Sequence, residues 1–427
     1  MRFRRKPSMQ APSADSVCSE LRSAERQANA RLTVGRQDLV TQLKPAWRLV
    51  RKSAGAPGID GQRISDFRSR LDTNLDRLAD QLVCGKYSFR RLRLVKVNKH
   101  SGGSRRLEIP TVCDRVVLQA MRLCIEPQLE LQMSDASHAF RSNRGAHSAI
   151  KELRRGLRDR HWIVLNADIQ SFFPSIVHRR LMQDLHSKCS LPDFRLYNRA
   201  IRLSSSRLAG RRGIAQGSPL SPLLSNVYLT EFDHQQSSVL GTHVPGTSER
   251  GTSERGIFVR YCDDMVFMFD DAKIAAKRLR QVKRQLSALG LRLHRSKTFI
   301  VDCRKKPFDY LGFQIRSKVI APSPESIKRL KRELSVWFSP SKIKRSKRLD
   351  HINGLLRSFA WYFSVADDKS AFQDVDRYVK SLRQQLVASG NGRAAPSARE
   401  VVRISKSSAS RRSATGRGRA LWNGYSG

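Results

Sequence analysis

Ile257-Phe258-Val259-Arg260-Tyr261-Cys262-Asp263-Asp264-Met265-Val266-Phe267-Met268-Phe269 is the stretch whose reading decides the fold. Two runs rich in β-branched and aromatic residues flank a pair of adjacent carboxylates, and neither Gly nor Pro interrupts them. The pattern predicts a β-hairpin with Asp263 and Asp264 at its turn. Two carboxylates about 4 Å apart repel by roughly 4 kcal/mol at an effective dielectric near 20. A cation between them removes that cost, and hard oxygen ligands select Mg²⁺ or Mn²⁺. A solvated Asp-Asp turn would read the same way, so the pair alone leaves both readings open.

Moving outward, Trp162-Ile163-Val164-Leu165-Asn166-Ala167-Asp168 reads as an apolar strand ending in an acid, followed by Ile169 to Pro174. A lone Asp at a strand end is commonly a helix cap. Joined to an acid pair on a later hairpin, it completes what a two-metal site needs. Alternating Leu92, Leu94 and Val95, Val97 predict another strand, which leads into a basic, Gly-rich tip from Asn98 to Arg106 and returns through Leu107 to Pro110. Such a tip suits a triphosphate, with Arg105 making the planar contact and Lys99 acting as a point charge. Gln216-Gly217 falls in a turn before an apolar helix beginning near Ser221, where N–H groups and a side-chain amide meet a base or sugar.

The composition narrows the partner. The 427-residue chain carries 81 Lys plus Arg against 37 Asp plus Glu, a formal net charge of +44. A polyanion is the natural counterpart of that charge. The positives run along the whole chain instead of one amphipathic helix, which favours nucleic acid over a membrane surface. Seven scattered cysteines without a C-x-x-C spacing argue against a zinc site or a disulfide framework. They favour a reducing cytoplasm, with nucleoid association left open. No signal peptide and no membrane span is expected.

The remaining segments read as scaffold. Residues 1 to about 20 are Ser, Ala and Pro rich and expected to be flexible. Helices are predicted within 19–52, over 71–83, 112–131, 145–157 and 273–289. Between Asp233 and Gly256 lies a polar insertion with a tandem Gly-Thr-Ser-Glu-Arg repeat, predicted to be a mobile loop. Phe308 to Ile315 reads as a second apolar hairpin element, and 326–386 as basic and helical. Beyond Ser389 an Arg- and Ser-rich tail is expected to be disordered.

Taken in order, these motifs resemble bacterial reverse transcriptases, most closely the group II intron-encoded, maturase-type or group II-like family. The set comprises Tyr87 to Pro110, Trp162 to Phe173, Gln216-Gly217-Ser218-Pro219-Leu220-Ser221-Pro222-Leu223-Leu224-Ser225-Asn226, Arg260-Tyr261-Cys262-Asp263-Asp264, Leu291 to Thr298, Tyr310-Leu311-Gly312-Phe313 and, more loosely, His351 to Phe363. One such acid pair is a weak signal; an ordered set spanning residues 50 to 385 is specific. Cys262 replaces the family's usual Ala, Ala215 a usual Pro, and Pro174 an Asp carried by many relatives.

The resemblance implies an α+β right-hand polymerase fold. Its expected parts are an N-terminal extension (1–60), fingers (61–165, with 186–213), a palm with an antiparallel sheet (166–320, holding a mobile insertion at 234–256), a helical thumb (321–389) and a disordered basic tail (390–427). It implies RNA-directed DNA synthesis by two-metal-ion nucleotidyl transfer, with Mg²⁺ (Mn²⁺ as a substitute) on Asp168, Asp263 and Asp264. Lys297 is the expected proton donor to pyrophosphate. Lys99, Arg105, Phe173 and Gln216 are the expected dNTP contacts, and Phe173 the block to a 2′-OH. Tyr310, Leu311, Gly312 and Phe313 form the expected primer grip. Partners would be an RNA template, a DNA or RNA primer, dNTPs and a structured intron or other noncoding RNA, with no membrane. No Cys/His-rich nuclease segment follows the thumb, so target-DNA cleavage by this chain alone is not expected. A maturase that holds RNA for splicing, a free-standing host enzyme of DNA repair or phage (antiviral) defence, and a DNA-templated or primer-independent polymerase remain alternatives.

Overall fold

A computed structural model describes residues 35–98, 104–204, 210–240, 255–339, 343–391, 397 and 400–405. Lys99, the Gly-rich tip and most of the tandem-repeat insertion lie outside those residues. The chain divides into two compact units, one formed by Met1–Leu131 with His178–Ser221, the other by Gln132–Val177 with Pro222–Gly427.

In the first unit the helix Val112–Glu130 is the spine. Thr111 caps it, its hydroxyl accepting from the Asp114 N–H at 3.1 Å. Val116, Val117, Ala120, Met121 and Ile125 recur at helical spacing and are buried. They meet the apolar stripe Leu43, Ala46, Trp47, Val50 of the helix Leu43–Ser53. Strands β1 (Arg93–Asn98) and β2 (Ser104–Ile109) form an antiparallel ribbon.

The second unit is built on a four-stranded antiparallel sheet in the order β4-β5-β3-β6, from β3 (Ile163–Asp168), β4 (Ile257–Tyr261), β5 (Asp264–Phe269) and β6 (Phe299–Asp302). The near-continuous apolar runs of β3 and β5 are what a strand covered on both faces requires. The helices Ala146–Arg158 and Ala272–Ala288 pack on this sheet. Gly156 permits the first approach, since a Cβ there would stand 2.8 Å from the Met268 sulfur. A second sheet joins β7 (Phe308–Tyr310), β8 (Phe313–Arg316) and β9 (Val319–Pro322). Three helices follow, Pro324–Phe338, Arg345–Tyr362 and Ser370–Leu386, around Leu334, Leu355, Phe359 and Val375.

Compact units and elements cut across three of the expected bounds. Residues 132–165, expected in the fingers, cluster with the unit that holds the four-stranded sheet, in which β3 is one of the two inner strands. The expected insertion at 234–256 loses its first residues to the helix Ser221–Val239, where Gln236 is buried and bonded to Gln285 at 2.7 Å. The tail expected to be disordered from 390 is seated at 400–405. Val401 and Ile404 are buried, and the Ile404 and Ser405 N–H groups both donate to the Asp376 carboxylate at 3.0 Å. These two aliphatic residues give that Arg- and Ser-rich stretch something to bury.

Candidate active site

Asp168 is the last residue of β3, and the antiparallel register with β5 sets it directly opposite Asp264. Asp263 precedes Asp264 in the two-residue turn Cys262–Asp263 that joins β4 to β5. The Asp263 carbonyl accepts from the Ile169 N–H at 3.2 Å, tying the turn to the end of β3. Cys262 adopts φ 61°, in the left-handed region that L side chains seldom occupy and tight hairpins need. Two central strands thus bring three carboxylates to one sheet end.

Lys297 joins them on a loop that follows the helix Ala272–Ala288. That loop is laced to β3: the Asp168 carbonyl accepts from the His294 N–H at 2.8 Å, and the Asn166 amide donates to the Lys297 carbonyl at 3.0 Å. The Lys297 ammonium then reaches the Asp168 carboxylate at 3.0 Å. Burial raises the pKa of Asp263, and the Asp168 charge adds to it. Burial raises Asp264 well above the carboxylate range, with Asp263 and Asp168 both contributing. For Lys297, partial burial works against the charge, but the bond to Asp168 and the field of all three carboxylates more than offset it and raise its pKa. One lysine therefore faces three acids. The imbalance, on an all-oxygen donor set, fits a hard divalent cation. Among the described residues no group of three or more acidic, His or Cys side chains is arranged to hold a metal ion by itself. Mg²⁺ does not need such a group, because it binds through one or two carboxylates, water and substrate phosphates.

Comparison with known proteins decides the family. The model of "Reverse transcriptase (RNA-dependent DNA polymerase)" matches residues 97–315. Protein YkfC of Escherichia coli K12 is 31% identical over 314 residues, covering 66% of this chain and 82% of that protein. This chain belongs to the reverse transcriptase family. Group II intron-encoded protein LtrA of Lactococcus lactis is 30% identical over 192 residues, covering 43% of this chain and 31% of its own length. The putative COX1/OXI3 intron 1 protein of Saccharomyces cerevisiae is 24% identical over 56% of this chain. The chain spans about a third of that protein's length (34%). The fold is accordingly the right-hand polymerase fold, the class of activity RNA-directed DNA polymerisation of the group II-like kind, and the chemistry of the family depends on a divalent metal.

The other expected residues of this reverse transcriptase lie as follows. Phe173 is half-exposed on the short helix Phe172–Ser175, its ring edge-on to buried Phe172 at 5.8 Å. Tyr310, Leu311, Gly312 and Phe313 are all buried, Leu311 and Gly312 at φ 50° and 76°. The carbonyls of the turn are taken within the chain, Leu311's by the Tyr362 hydroxyl at 3.0 Å and Gly312's by the Ser323 N–H and the Ser326 hydroxyl, each at 2.9 Å. The Tyr310 hydroxyl donates to the Asp264 carbonyl at 3.4 Å, linking the expected primer grip to the acids. In the other unit, Gln216 is pinned by its backbone. Its carbonyl accepts from the Glu108 N–H at 2.7 Å and its own N–H donates to the Glu108 carboxylate at 3.2 Å. A Cβ at Gly217 would stand 2.6 Å from the Glu108 carbonyl oxygen. Arg105 lies on β2 opposite Val97, and beside it Lys96 faces Arg106, both exposed. Like charges directly opposite destabilise a ribbon unless an anion joins them. No helix among the described residues is long and apolar enough to cross a membrane.

Sequence reasoning passed over Glu108 and, in the hairpin and against it, Arg260 and its partner Asp233. The last two carried a signal. Arg260 interrupts an otherwise apolar strand, and Asp233 follows Phe232 and stands four residues after the apolar Leu229, on the same face of the helix. A charge so placed must find a partner or face water.

Proposed function

We propose that this reverse transcriptase copies an RNA template into DNA by extending a primer with dNTPs, and that Asp168, Asp263 and Asp264 hold the divalent ion. The observation that carries the reading is the β3–β5 register, which sets Asp168 against Asp264 with Asp263 in the adjoining turn. Mg²⁺ bound there, with Mn²⁺ as a substitute, supplies activation of the primer 3′-OH and stabilises the charge developing on the transferred phosphoryl group. The chain's own residues do the rest. The paired strands hold the carboxylates at fixed positions. Lys297, raised in pKa and half-exposed, stays protonated at neutral pH and delivers a proton to the departing pyrophosphate. Phe173 screens the sugar, Gln216 meets the nucleotide, and Lys99 and Arg105 take its phosphates. The exposed Lys96 and Arg106 pair and the overall positive charge favour a phosphate backbone as partner.

Primer extension on matched RNA and DNA templates, with Mg²⁺ and then Mn²⁺, tests this. Synthesis on RNA with Mg²⁺ is expected. Synthesis restricted to DNA templates would assign the palm to another polymerase class. Intron-encoded relatives favour a second role in holding structured RNA. Splicing of a bound intron that survives loss of Asp263 would show that role to be separate.

A further inference from the structure

The most deeply hidden charge among the described residues is Arg260, at 0% exposure, with its ion-pair partner Asp233 at 1%. Every N–H of the guanidinium finds an acceptor. Nε donates to Asp233 Oδ1 at 2.7 Å and Nη2 to Asp233 Oδ2. Nη2 also donates to Ser137 Oγ at 2.8 Å. Nη1 donates to Asn226 Oδ1 at 3.1 Å and to the Cys262 carbonyl at 2.9 Å. The main chain is clamped too, Arg260 N–H donating to the Ala136 carbonyl at 2.7 Å and His138 N–H to the Arg260 carbonyl at 2.9 Å. Asn226 is held in turn, its amide donating to the Ala139 carbonyl at 2.8 Å.

A buried ion pair is a poor means of gaining stability. Taking two charges out of water is costly, and well-packed apolar residues of similar volume often serve a core as well or better. An apolar pair cannot, however, donate to the Cys262 carbonyl. That carbonyl belongs to the residue held at φ 61° and to the peptide that leads into Asp263. Its direction sets where the Asp263 side chain starts and where β5 begins with Asp264.

We propose that Arg260, anchored by Asp233 and Asn226, is a positioning residue that locks the Cys262–Asp263 peptide and so holds the acid pair in register with Asp168. The inference rests on the polymerase reading of the acids. Arg260 acts through Cys262 and touches no substrate. A displacement of about 1 Å at reacting groups costs on the order of 100-fold in rate.

The test is single-turnover dNTP incorporation on a primed RNA template, with thermal unfolding of each protein, for wild type, the double variant Arg260→Met with Asp233→Leu, and Arg260→Lys. The double variant is expected to unfold cooperatively near the wild-type temperature while kcat falls about 100-fold. KM for dNTP should stay within about threefold, and the Mg²⁺ concentration for half-maximal rate should rise. Arg260→Lys, whose three N–H donors on one nitrogen cannot match the five acceptors that the guanidinium reaches from three nitrogens, should show the same pattern. A folded variant with wild-type kcat and Mg²⁺ dependence overturns the proposal. Failure of both variants to fold also overturns it, assigning the pair to stability. A wild type that makes no DNA with either metal sinks the polymerase reading instead, a result separable from any behaviour of the variants.

Discussion

β1 and β2 pair antiparallel over six residues, and so do β3 and β5, yet the two pairs are built to opposite ends. Five of the six residues of β1 are exposed, whereas five of the six in both β3 and β5 are buried. The buried pair places acids at its end, where burial and mutual repulsion raise the pKa of Asp263 and Asp264. The exposed pair sets Lys96 against Arg106 in open solvent, where repulsion is screened. On the proposed mechanism the sheet end holds charges whose positions matter to an ångström, and the exposed ribbon holds charges that need only be present.

The comparison breaks most sharply at Asp263. Replacing it by Ala should lower primer extension about 1000-fold or more, since several kcal/mol of transition-state stabilisation go with a metal ligand. Thermal unfolding should stay level or rise, because a like charge leaves the cluster. Loss of folding in Asp263→Ala would show that the acids are structural.

At the ribbon the signs reverse. Lys96→Glu creates an opposite-charge pair with Arg106, expected to stabilise the ribbon by about 0.2–1 kcal/mol. Binding of template or nucleotide should weaken about tenfold with little change in kcat. Equal loss in kcat would place the ribbon among the groups that need fixed positions.

Acid separates the regions a third way. His138 is buried, and that burial, with Arg144, Arg141 and Arg260 nearby, depresses its pKa to about 3. Between that value and the unfolded value near 6.5 the unfolded chain binds the extra proton, so this contribution to stability is full above the window and is lost as pH falls through it. From pH 7.5 to 5, wild type should lose about 2 kcal/mol more than His138→Gln in urea unfolding. Parallel losses would mean that His138 is charged in the fold. The smallest effect is expected of Cys262→Ala, the family's own residue at that position. Its extension rate should stay within about twofold, as the carbonyl that Arg260 holds is unchanged.

Much of this was legible in the sequence because strand periodicity and adjacent acids are local signals. The hairpin at 257–269, the strand ending in Asp168 and the helices near 71–83 and 112–130 all follow from spacing alone. What local patterns do not carry is pairing across the chain. Lys297 lies 129 residues from the carboxylate it bonds, and Glu108 lies 108 residues from Gln216. Val401 and Ile404 sit in a stretch whose composition argues for disorder, and only their burial and the bonds to Asp376 decide otherwise. Arg260 could have been suspected from its apolar neighbours, but its five acceptors come from four separate residues.

The central claim is that the β3–β5 register assembles a divalent-metal site, and Fe²⁺-directed hydroxyl-radical cleavage of the protein tests it without relying on catalysis. Fe²⁺ substituted for Mg²⁺ should cut the chain beside residues 168 and 263. Excess Mg²⁺ should suppress those cuts, and folded Asp263→Ala should lack them. Cleavage spread along the chain, or unchanged in the variant, would contradict the account.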